Sequence, residues 1–272
     1  MSDRHDEQMS EDEEAEQRSA PAARVVHAAV VEQGEDELAR PIASLFWSGF
    51  AAGIAIMASV WVSGALRHYL PAARWAEPVV ALGYPAGFLI VILGRLQLFT
   101  EHTAVAVLPV VRAPTRRNLL LLARLWSVIF AANMFGALIA TALAVFAHIQ
   151  PADTLAGMID VSAKLLERTP VDTLMQAIPA GFLIASIAWI RSAVNSGDFW
   201  IVFAVTYAIS LGGFAHVVAG ASEAFLLMWA GQASAGWAIG GFVLPALLGN
   251  IVGGTGLFAL LAHAQVKNEL HS

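Results

Sequence analysis

Leu-Phe-Thr-Glu-His-Thr at residues 98–103 interrupts one long apolar stretch of this sequence, and Gly-Gly-Phe-Ala-His at residues 212–216 interrupts another. Gly220 and Glu223 follow the second interruption. Charged and titratable groups are costly at bilayer depth, and they persist there mainly in pathways, proton relays or pairs. Broken segments at matching places in two halves of a chain indicate a transport site. The two interruptions therefore predict a pore, with these residues at its centre.

The composition is that of an integral membrane protein. Hydrophobic residues make up 58% of the 272 residues and charged residues only 13%, against about 25% in a soluble domain, and the mean hydropathy is +0.66. Residues 1–40 hold 12 of the 21 acidic side chains, so the negative charge belongs to this tail and nucleic acid is not an expected partner. The absence of cysteine excludes disulfides and thiolate chemistry. We predict no catalytic residues, no metal site and no cofactor.

Six apolar stretches are long enough to cross a bilayer, which takes about 20 helical residues. We place them near residues 42–66, 78–109, 117–147, 173–192, 199–229 and 236–264. Six spans put both termini on one side, and basic residues such as Arg112, Arg116 and Arg117 in a short loop on that side predict cytoplasmic termini. The predicted fold class is an all-α protein of the bacterial inner membrane, in contact with the lipid bilayer, whose second and fifth helices are broken.

The chain divides into three parts. Residues 1–40 form an acidic cytoplasmic tail, disordered by composition over its first 22 residues. Its residues 24–40 have the pattern of a short amphipathic helix, which would lie on the membrane surface or on the cytoplasmic mouth. Residues 41–266 form a six-helix channel domain, with a long loop at 148–172, and residues 267–272 form a short cytoplasmic C-terminus. The acidic N-terminus lacks the apolar core of a cleavable signal peptide.

An internal repeat relates the two halves. The motif Asn-x-x-Gly begins at Asn133 in the third stretch and at Asn250 in the sixth, 117 positions later, while Phe99 and Phe214 are 115 positions apart. With three spans in each half, the halves have opposite orientations, as an inverted 3+3 repeat. Asn133 and Asn250 are predicted to support the site by capping the broken helices of the opposite half. Small residues are expected to allow close helix packing. These are Gly49, Gly53, Gly136, Gly249, Gly253, Gly254 and Gly256.

His216 and Thr100 are the candidate pore centre. The imidazole of His216 can donate a hydrogen bond to an anion when neutral, and it can hand over a proton when charged. The structural alternative is a buried histidine bonded to a backbone carbonyl left free by the break. Thr100 can bond the imidazole or a passing solute, although an intramembrane threonine often bonds its own helix.

Four further polar residues are candidates for selectivity or support: Arg95, Glu101, His102 and Glu223. Arg95 would favour anions if it faced the pore. The alternative is an ion pair of Arg95 with Glu101 or Glu223 that holds the broken segments in place, and we prefer such a structural role for the two glutamates. Bulky side chains flank the polar centre, where they can narrow a pore and strip water from a solute, or simply pack. They are Tyr84, Phe88, Leu98, Ile209 and Phe214.

These motifs resemble those of the formate/nitrite transporter family. The resemblance rests on Leu-Phe-Thr at residues 98–100, on His216 at a break, and on Gly-Asn-Ile-Val-Gly-Gly at residues 249–254. Arg-Leu-Gln-Leu-Phe-Thr-Glu at residues 95–101, with the acidic tail, looks like the YfdC branch. The resemblance implies an aquaporin-like fold of six helices, a homopentamer with one pore per protomer, and passage of small monovalent anions or weak acids. It also implies a histidine–threonine pore centre between two apolar constrictions, which by position involve Tyr84, Phe88 and Ile209.

The sequence departs from the family pattern at three places. Gln97 stands where characterised members have an acidic residue, and Glu101-His102 replaces a Ser-Thr or Gly-Asn pair. The family's vestibule lysine falls by position on Thr169, so that Arg168 or Lys164 is the candidate substitute.

The leading hypothesis is therefore an anion channel, passive or proton-coupled through His216. An intramembrane enzyme is the alternative from another class. However, a rhomboid-like protease needs Gly-x-Ser-Gly, and residues 220–223 read Gly-Ala-Ser-Glu. An aquaporin-type channel for neutral solutes lacks Asn-Pro-Ala at the breaks. A non-conducting sensor or scaffold of the same fold is a further alternative.

Overall fold

The computed structural model describes residues 21–268, and their secondary structure is helical. Helix α1 spans Ala23–Ala39. It is followed by α2 (Ile42–Ala55), α3 (Met57–Tyr69), α4 (Ala76–Ala81), α5 (Pro85–Leu93), α6 (Leu108–Arg112), α7 (Arg116–Phe146), α8 (Ala152–Ala163), α9 (Pro170–Ala193), α10 (Asp198–Leu211), α11 (Val217–Trp229) and α12 (Trp237–Val266), the last with π-helical stretches at Trp237–Val243 and Val252–Ala259. Short 3₁₀ helices cover Glu101–Thr103 and Lys164–Glu167. The predicted disordered segment lies outside the described residues, except for residues 21 and 22.

Five helical segments in the described part are long and apolar enough to cross a membrane. They are Ile42–Tyr69, Ala76–Leu93, Arg116–Phe146, Pro170–Ala193 and Trp237–Val266. The remaining predicted span, residues 199–229, consists of two shorter apolar helices, α10 and α11, which meet at the predicted break. The described residues thus form an all-helical structure with the long apolar segments of an integral membrane protein.

The first break begins earlier than predicted. Helix α5 ends at Leu93, and Gly94 is its C-cap residue. Arg95 follows with φ of 56°, a left-handed conformation that non-glycine residues seldom adopt. Regular α-helix resumes only at Leu108, so the predicted span at 78–109 is wrong beyond Leu93. The sequence did not reveal this limit because residues 104–108 are apolar and look like a continuation of the helix.

Small residues bring the membrane helices into contact, as predicted for most of them. A methyl group on Gly53 would overlap the carbonyl oxygen of Asn133, and one on Gly253 would overlap that of Ile178. Such close backbone approach is how membrane helices associate without a hydrophobic driving force. Gly136, Gly249 and Gly254 are similarly crowded, and Gly49 is less so, with Cβ of Ala132 3.0 Å from the position of its potential Cβ. Gly256 is the exception, since nothing lies within 4 Å of its potential Cβ.

The predicted loop at 148–172 contains a helix, α8, which packs against α3. Gly157 lies against Gly64, where a side chain on either residue would overlap the other helix. We call the face of the protein that carries α8 the α8 side, and the opposite face, which carries α1, the α1 side.

Helix α1 is docked on the protein rather than left on the membrane surface. Val26, Val30 and Val31 are buried in a cluster with residues of α6, α9 and α12. A side chain on Gly34 would overlap the carbonyl oxygen of Val105, in the segment that follows the first break. Of the two positions that the sequence left open for this helix, the structure has the one at the mouth of the protein.

We expect acid to loosen α1. His27 on this helix is 1% exposed, its Nε2 lies 3.2 Å from Nδ1 of His263, and its pKa is lowered by burial and, to a smaller extent, by His263 and Arg112. A lowered folded-state pKa means that the docked helix favours neutral His27. Docking is therefore unaffected above the unfolded value of about 6.5 and weakens as the pH falls below it. Amide hydrogen exchange over residues 23–39 at neutral and acidic pH measures this.

The matched variants for this measurement are His27→Phe and His68→Phe. The first removes the buried titrating group and is expected to flatten the pH dependence of exchange. The second changes an exposed histidine on the α8 side and is expected to leave the pH dependence as in the parent protein. An unchanged pH dependence in His27→Phe would contradict the prediction.

Candidate functional site

The two breaks meet at a hydrogen bond between His216 and Thr100. Nε2 of His216 lies 2.6 Å from Oγ1 of Thr100, and the two residues are 1% and 0% exposed. His216 is also the N-cap of α11, where its Nδ1 accepts from the backbone N–H of Ala219 at 3.2 Å. An Nδ1 that accepts this bond carries no proton, so in the neutral ring the proton is on Nε2 and is donated to Thr100. The cap thereby determines the tautomer at the centre.

Asn133 on α7 holds the first break open. Its Oδ1 accepts from the backbone N–H of Phe99 at 2.9 Å. Its Nδ2 donates to the carbonyl of Gln97 at 2.9 Å and to that of Gly49 at 2.7 Å. The backbone groups freed by the break thus find partners at a depth where water is scarce, as the bilayer requires.

Asn250 on α12 does the same for the second break. Its Oδ1 accepts from the N–H of Val217 at 2.8 Å, and its Nδ2 donates to the carbonyls of Ala215 at 2.9 Å and Ala177 at 2.8 Å. The capping role predicted for both asparagines is present, but the partners were predicted wrongly. Each asparagine binds the break of its own half rather than that of the opposite half.

A cavity of about 320 Å³ on the α8 side extends inward to His216. Tyr84 and Phe214 line it, together with the charged residues Lys164, Arg168, Glu77 and Glu223. Lys164 is paired with the carboxylate of Glu77, which also accepts from Arg67 at 2.6 Å.

Arg168 is the free cation of the cavity on the α8 side. It forms no ion pair within residues 21–268, and its Nη2 lies 3.7 Å from the position that a Cβ on Gly213 would occupy. The guanidinium of Arg168 therefore lies beside the second break, at Gly213, which precedes His216 by three residues. Lys164, the other candidate from the sequence, is held by Glu77 instead.

A second cavity, of about 250 Å³, lies on the α1 side of the centre. It is lined by Arg95 and Glu101 from the first break and by Arg191 and Asp198, which flank the turn between α9 and α10. Arg191 pairs with Asp198, with Nε 2.8 Å from Oδ2.

Arg95 makes no ion pair with Glu101 or Glu223 in the described chain, so the structural pair that the sequence favoured is wrong. Neither Arg191 nor Asp198 was among the candidate site residues from the sequence, although both mark the polar end of an apolar stretch.

Apolar side chains fill the space around the central hydrogen bond. Phe88, Leu98 and Ile209 are each 0% exposed and line neither cavity. The ring of Phe88 lies 4.9 Å from the imidazole of His216, edge to face. The predicted constriction residues therefore separate into a buried group at the centre and a pair, Tyr84 and Phe214, that lines the wider cavity.

His102 lies away from both cavities. It is 2% exposed, and its carbonyl accepts from Nε1 of Trp126 at 3.1 Å. Neither ring nitrogen has a hydrogen-bond partner among the described residues. Of the four polar candidates from the sequence, Arg95, Glu101 and Glu223 line one of these two cavities and His102 lines neither.

Comparison with known proteins agrees with this geometry. The formate/nitrite transporter family matches residues 24–264. The inner membrane protein YfdC of Escherichia coli strain K12 is 36% identical over 255 residues, covering 94% of this chain and 82% of YfdC. The uncharacterized transporter YrhG of Bacillus subtilis strain 168 is 25% identical, covering 86% of this chain and 89% of YrhG.

Two solved structures have the same fold. An FNT family ion channel superposes with a TM-score of 0.74 at 16% identity, over 89% of this chain and 98% of that one. A pentameric formate channel with formate bound gives a TM-score of 0.64 at 17% identity, over 84% and 98%. The family match over nearly the whole described chain and the identity to YfdC lead to one conclusion: this protein belongs to the formate/nitrite transporter family.

Proposed function

We propose that this protein is a membrane channel for small monovalent anions such as formate and nitrite, or for their conjugate acids. The observation that carries the proposal is the buried hydrogen bond between His216 and Thr100, with a charged cavity on each side of it. A centre whose two polar side chains are at most 1% exposed suits a solute of only a few atoms. The bound formate of a structural neighbour supports the same substrate class.

We further propose six transmembrane helices in an inverted repeat with an aquaporin-like arrangement. The five long spans and the α10–α11 pair supply the six. The asparagine contacts support the repeat, because Gln97 and Phe99 bind Asn133 as Ala215 and Val217 bind Asn250. In this alignment His216 corresponds to Leu98, an offset of 118 positions, which is three more than the offset of 115 that matches Phe99 with Phe214 in the sequence.

The proposed assembly is a homopentamer in the bacterial inner membrane with both termini in the cytoplasm. One structural neighbour is pentameric, and the relative YfdC is an inner membrane protein. The acidic residues 1–40, the channel domain 41–266 and the short tail 267–272 remain the proposed divisions of the chain.

An anion would enter from the α8 side by attraction to Arg168, which lies beside the second break and forms no ion pair within the described residues. It would then lose its water against the aromatic and aliphatic groups around Phe88. At the centre, the hydroxyl of Thr100 can donate to the solute because its oxygen already accepts from His216. The sequence allowed His216 to act as donor or as proton carrier, and its bond to Ala219 favours the neutral donor.

Uptake into proteoliposomes tests the proposed function. Formate, nitrite, lactate, hydrosulfide and chloride would each be mixed with the liposomes by stopped flow between about pH 5 and pH 8, the range over which histidine titrates. Flux of at least one of these solutes above that of empty liposomes is expected. No flux for any of them would contradict the channel and favour the non-conducting scaffold.

Arg168→Gln is expected to weaken the apparent affinity for formate by about tenfold at low ionic strength, because a lone cation at a pore mouth concentrates anions. Lys164→Gln is the matched control, since its ammonium is already paired with Glu77 and half exposed. We expect this control to change flux by less than about twofold. The measurement is the concentration dependence of formate uptake at low and high salt. Equal effects of the two substitutions would contradict the assignment of Arg168.

A further inference from the structure

We infer that Glu223 and Glu101 are the proton-exchange groups of this channel, one in each cavity, so that the anion crosses the centre as its neutral acid. This inference rests on the proposed function and deepens it, because it moves proton coupling away from the central histidine to two carboxylates.

Each cavity is lined by two cationic and two acidic side chains. In each, one cation forms an ion pair with one carboxylate, and the other two groups form none within residues 21–268. On the α8 side, Lys164 binds Glu77 and leaves Arg168 with Glu223. On the α1 side, Arg191 binds Asp198.

Arg95 and Glu101 are the groups left over on the α1 side. The side-chain carboxyl groups of Glu101 and Glu223 form no ion pair or hydrogen bond within residues 21–268. Both cavities thus present one free guanidinium and one free carboxyl group to the same space.

The two carboxyl groups lie next to the central pair. Glu101 follows Thr100 directly in the chain. Glu223 is seven residues from His216 on α11, which is two helical turns, so both side chains share one face of the helix about 10 Å apart. Gly220, on the turn between them, lines the same cavity, and the ring of Phe242 packs against it. A solute moving from one cavity to the other passes Glu223, the centre and Glu101 in that order.

The centre itself is poorly suited to carry the proton. Charging His216 would place a proton on Nδ1, where the N–H of Ala219 already points, and two donors would then face each other at the helix N-terminus. The hydroxyl of Thr100 is too weak an acid to protonate an anion. Carboxyl groups, by contrast, exchange protons readily with carboxylate and nitrite anions, whose acidity is close to their own.

The proposed exchange balances in atoms and charge. Protonated Glu223 transfers its proton to an anion held by Arg168, leaving a carboxylate and a neutral acid. The neutral acid crosses the apolar centre, which a charged solute would cross only at high cost. It then gives the proton to the carboxylate of Glu101 and leaves as an anion toward Arg95. Glu223 regains a proton from water on the α8 side, and Glu101 releases one on the α1 side, so one proton accompanies each anion.

Other titratable groups face each carboxyl group and set its environment. Glu223 is faced in its cavity by Tyr84, Glu77, Lys164, Arg168 and His216. Glu101 is faced by Arg95, Arg191, Asp198 and, from α1, Glu37. Each set includes one guanidinium that forms no ion pair within residues 21–268, Arg168 in one cavity and Arg95 in the other. An anion is therefore attracted into the cavity that holds the carboxyl group.

The test measures the number of protons moved per formate in proteoliposomes, with an internal pH dye and a membrane-potential dye read together. The parent protein is expected to move about one proton per formate with little change in potential. Glu223→Gln and Glu101→Gln are each expected to lower the number of protons moved per formate by about tenfold, because the amide cannot exchange the proton. Any remaining formate would then cross as the anion and generate a potential.

Matched controls separate this role from a general effect of charge. Glu167→Gln on the α8 side and Glu35→Gln on the α1 side remove exposed carboxylates that line neither cavity, and both are expected to keep the parent ratio. If a glutamine variant carries no formate, restoration of formate and proton movement by Glu223→Asp or Glu101→Asp supports the inference. Failure of the aspartate variants to restore either flux overturns it.

Two further outcomes distinguish this inference from the proposed function. A parent ratio near zero, or an unchanged ratio in both glutamine variants, overturns the proton-exchange role while formate uptake still supports the channel. No formate uptake by the parent protein overturns the channel itself and the inference with it. The ratio is informative because a merely structural role of Glu101 or Glu223 would change the amount of active protein but not the protons moved per formate.

Discussion

His216→Leu is expected to lower formate flux through the channel about thirtyfold. The substitution removes the hydrogen bond that Nε2 of His216 donates to Thr100 or to the desolvated solute, and the loss of such a bond raises the barrier by about 2 kcal/mol. Leucine has a similar volume but offers no donor at Nε2. Thr100 would then lose the bond that orients its hydroxyl. Stopped-flow uptake of formate at saturating concentration measures the effect.

His216→Asn is the variant that separates the pore role from the capping role. Asparagine is a good N-cap residue, so it can still accept from the N–H of Ala219 and keep the start of α11. We expect it to preserve assembly and to retain more flux than leucine does. We also expect the protons moved per formate to stay near the parent value, since the exchange is assigned to the carboxyl groups. Flux of the leucine variant equal to that of the parent protein would refute the central role of this pair.

Asn250→Leu is expected to destabilise the folded protein by about 3 kcal/mol, since three backbone groups lose their partners in the membrane interior. The N–H of Val217 and the carbonyls of Ala215 and Ala177 would be left unpaired. Asn133→Leu is expected to destabilise the protein to a similar degree, because the backbone N–H of Phe99 loses its acceptor. In this variant the first break, rather than the second, loses its support. Thermal unfolding in detergent and the yield of folded oligomer measure both variants.

Thr141→Val is the matched control for the asparagine variants. Thr141 is fully buried on α7, but its hydroxyl bonds only the carbonyls of Ala137 and Leu138 in its own helix. Those carbonyls keep their helical partners when the hydroxyl is removed, so little change in stability is expected. If Thr141→Val and Asn250→Leu shift the unfolding temperature equally, the asparagines are not the supports of the breaks.

Much of the central site could be predicted from the sequence. His216 and Thr100 could be identified because titratable and polar residues are costly within apolar membrane segments and usually mark a functional site. The second break occurs at the predicted residues. The asparagines were recognisable from their repeat. Their partners were not, because an N-x-x-G motif says nothing of which backbone lies beside the amide. That choice depends on how closely α7 and α12 approach the breaks, which the glycine contacts determine.

Charged residues show the same division between sequence and structure. Residue type alone left open whether Lys164 or Arg168 is the vestibule cation, and it favoured an ion pair for Glu101 and Glu223. The structure pairs Lys164 with Glu77, a residue 87 positions away. Among the described residues, the side chains of Arg168 and of both glutamates form no ion pair.

The two polar interruptions, the apolar spans and the candidate pore residues were determined by the sequence itself, because hydropathy and the cost of polar groups in a bilayer act on local composition. The tertiary structure decided which charges are paired, which backbone groups bind Asn133 and Asn250, and that α1 docks at the protein mouth. Those outcomes depend on contacts between residues far apart in the chain, and local composition carries no record of such distances.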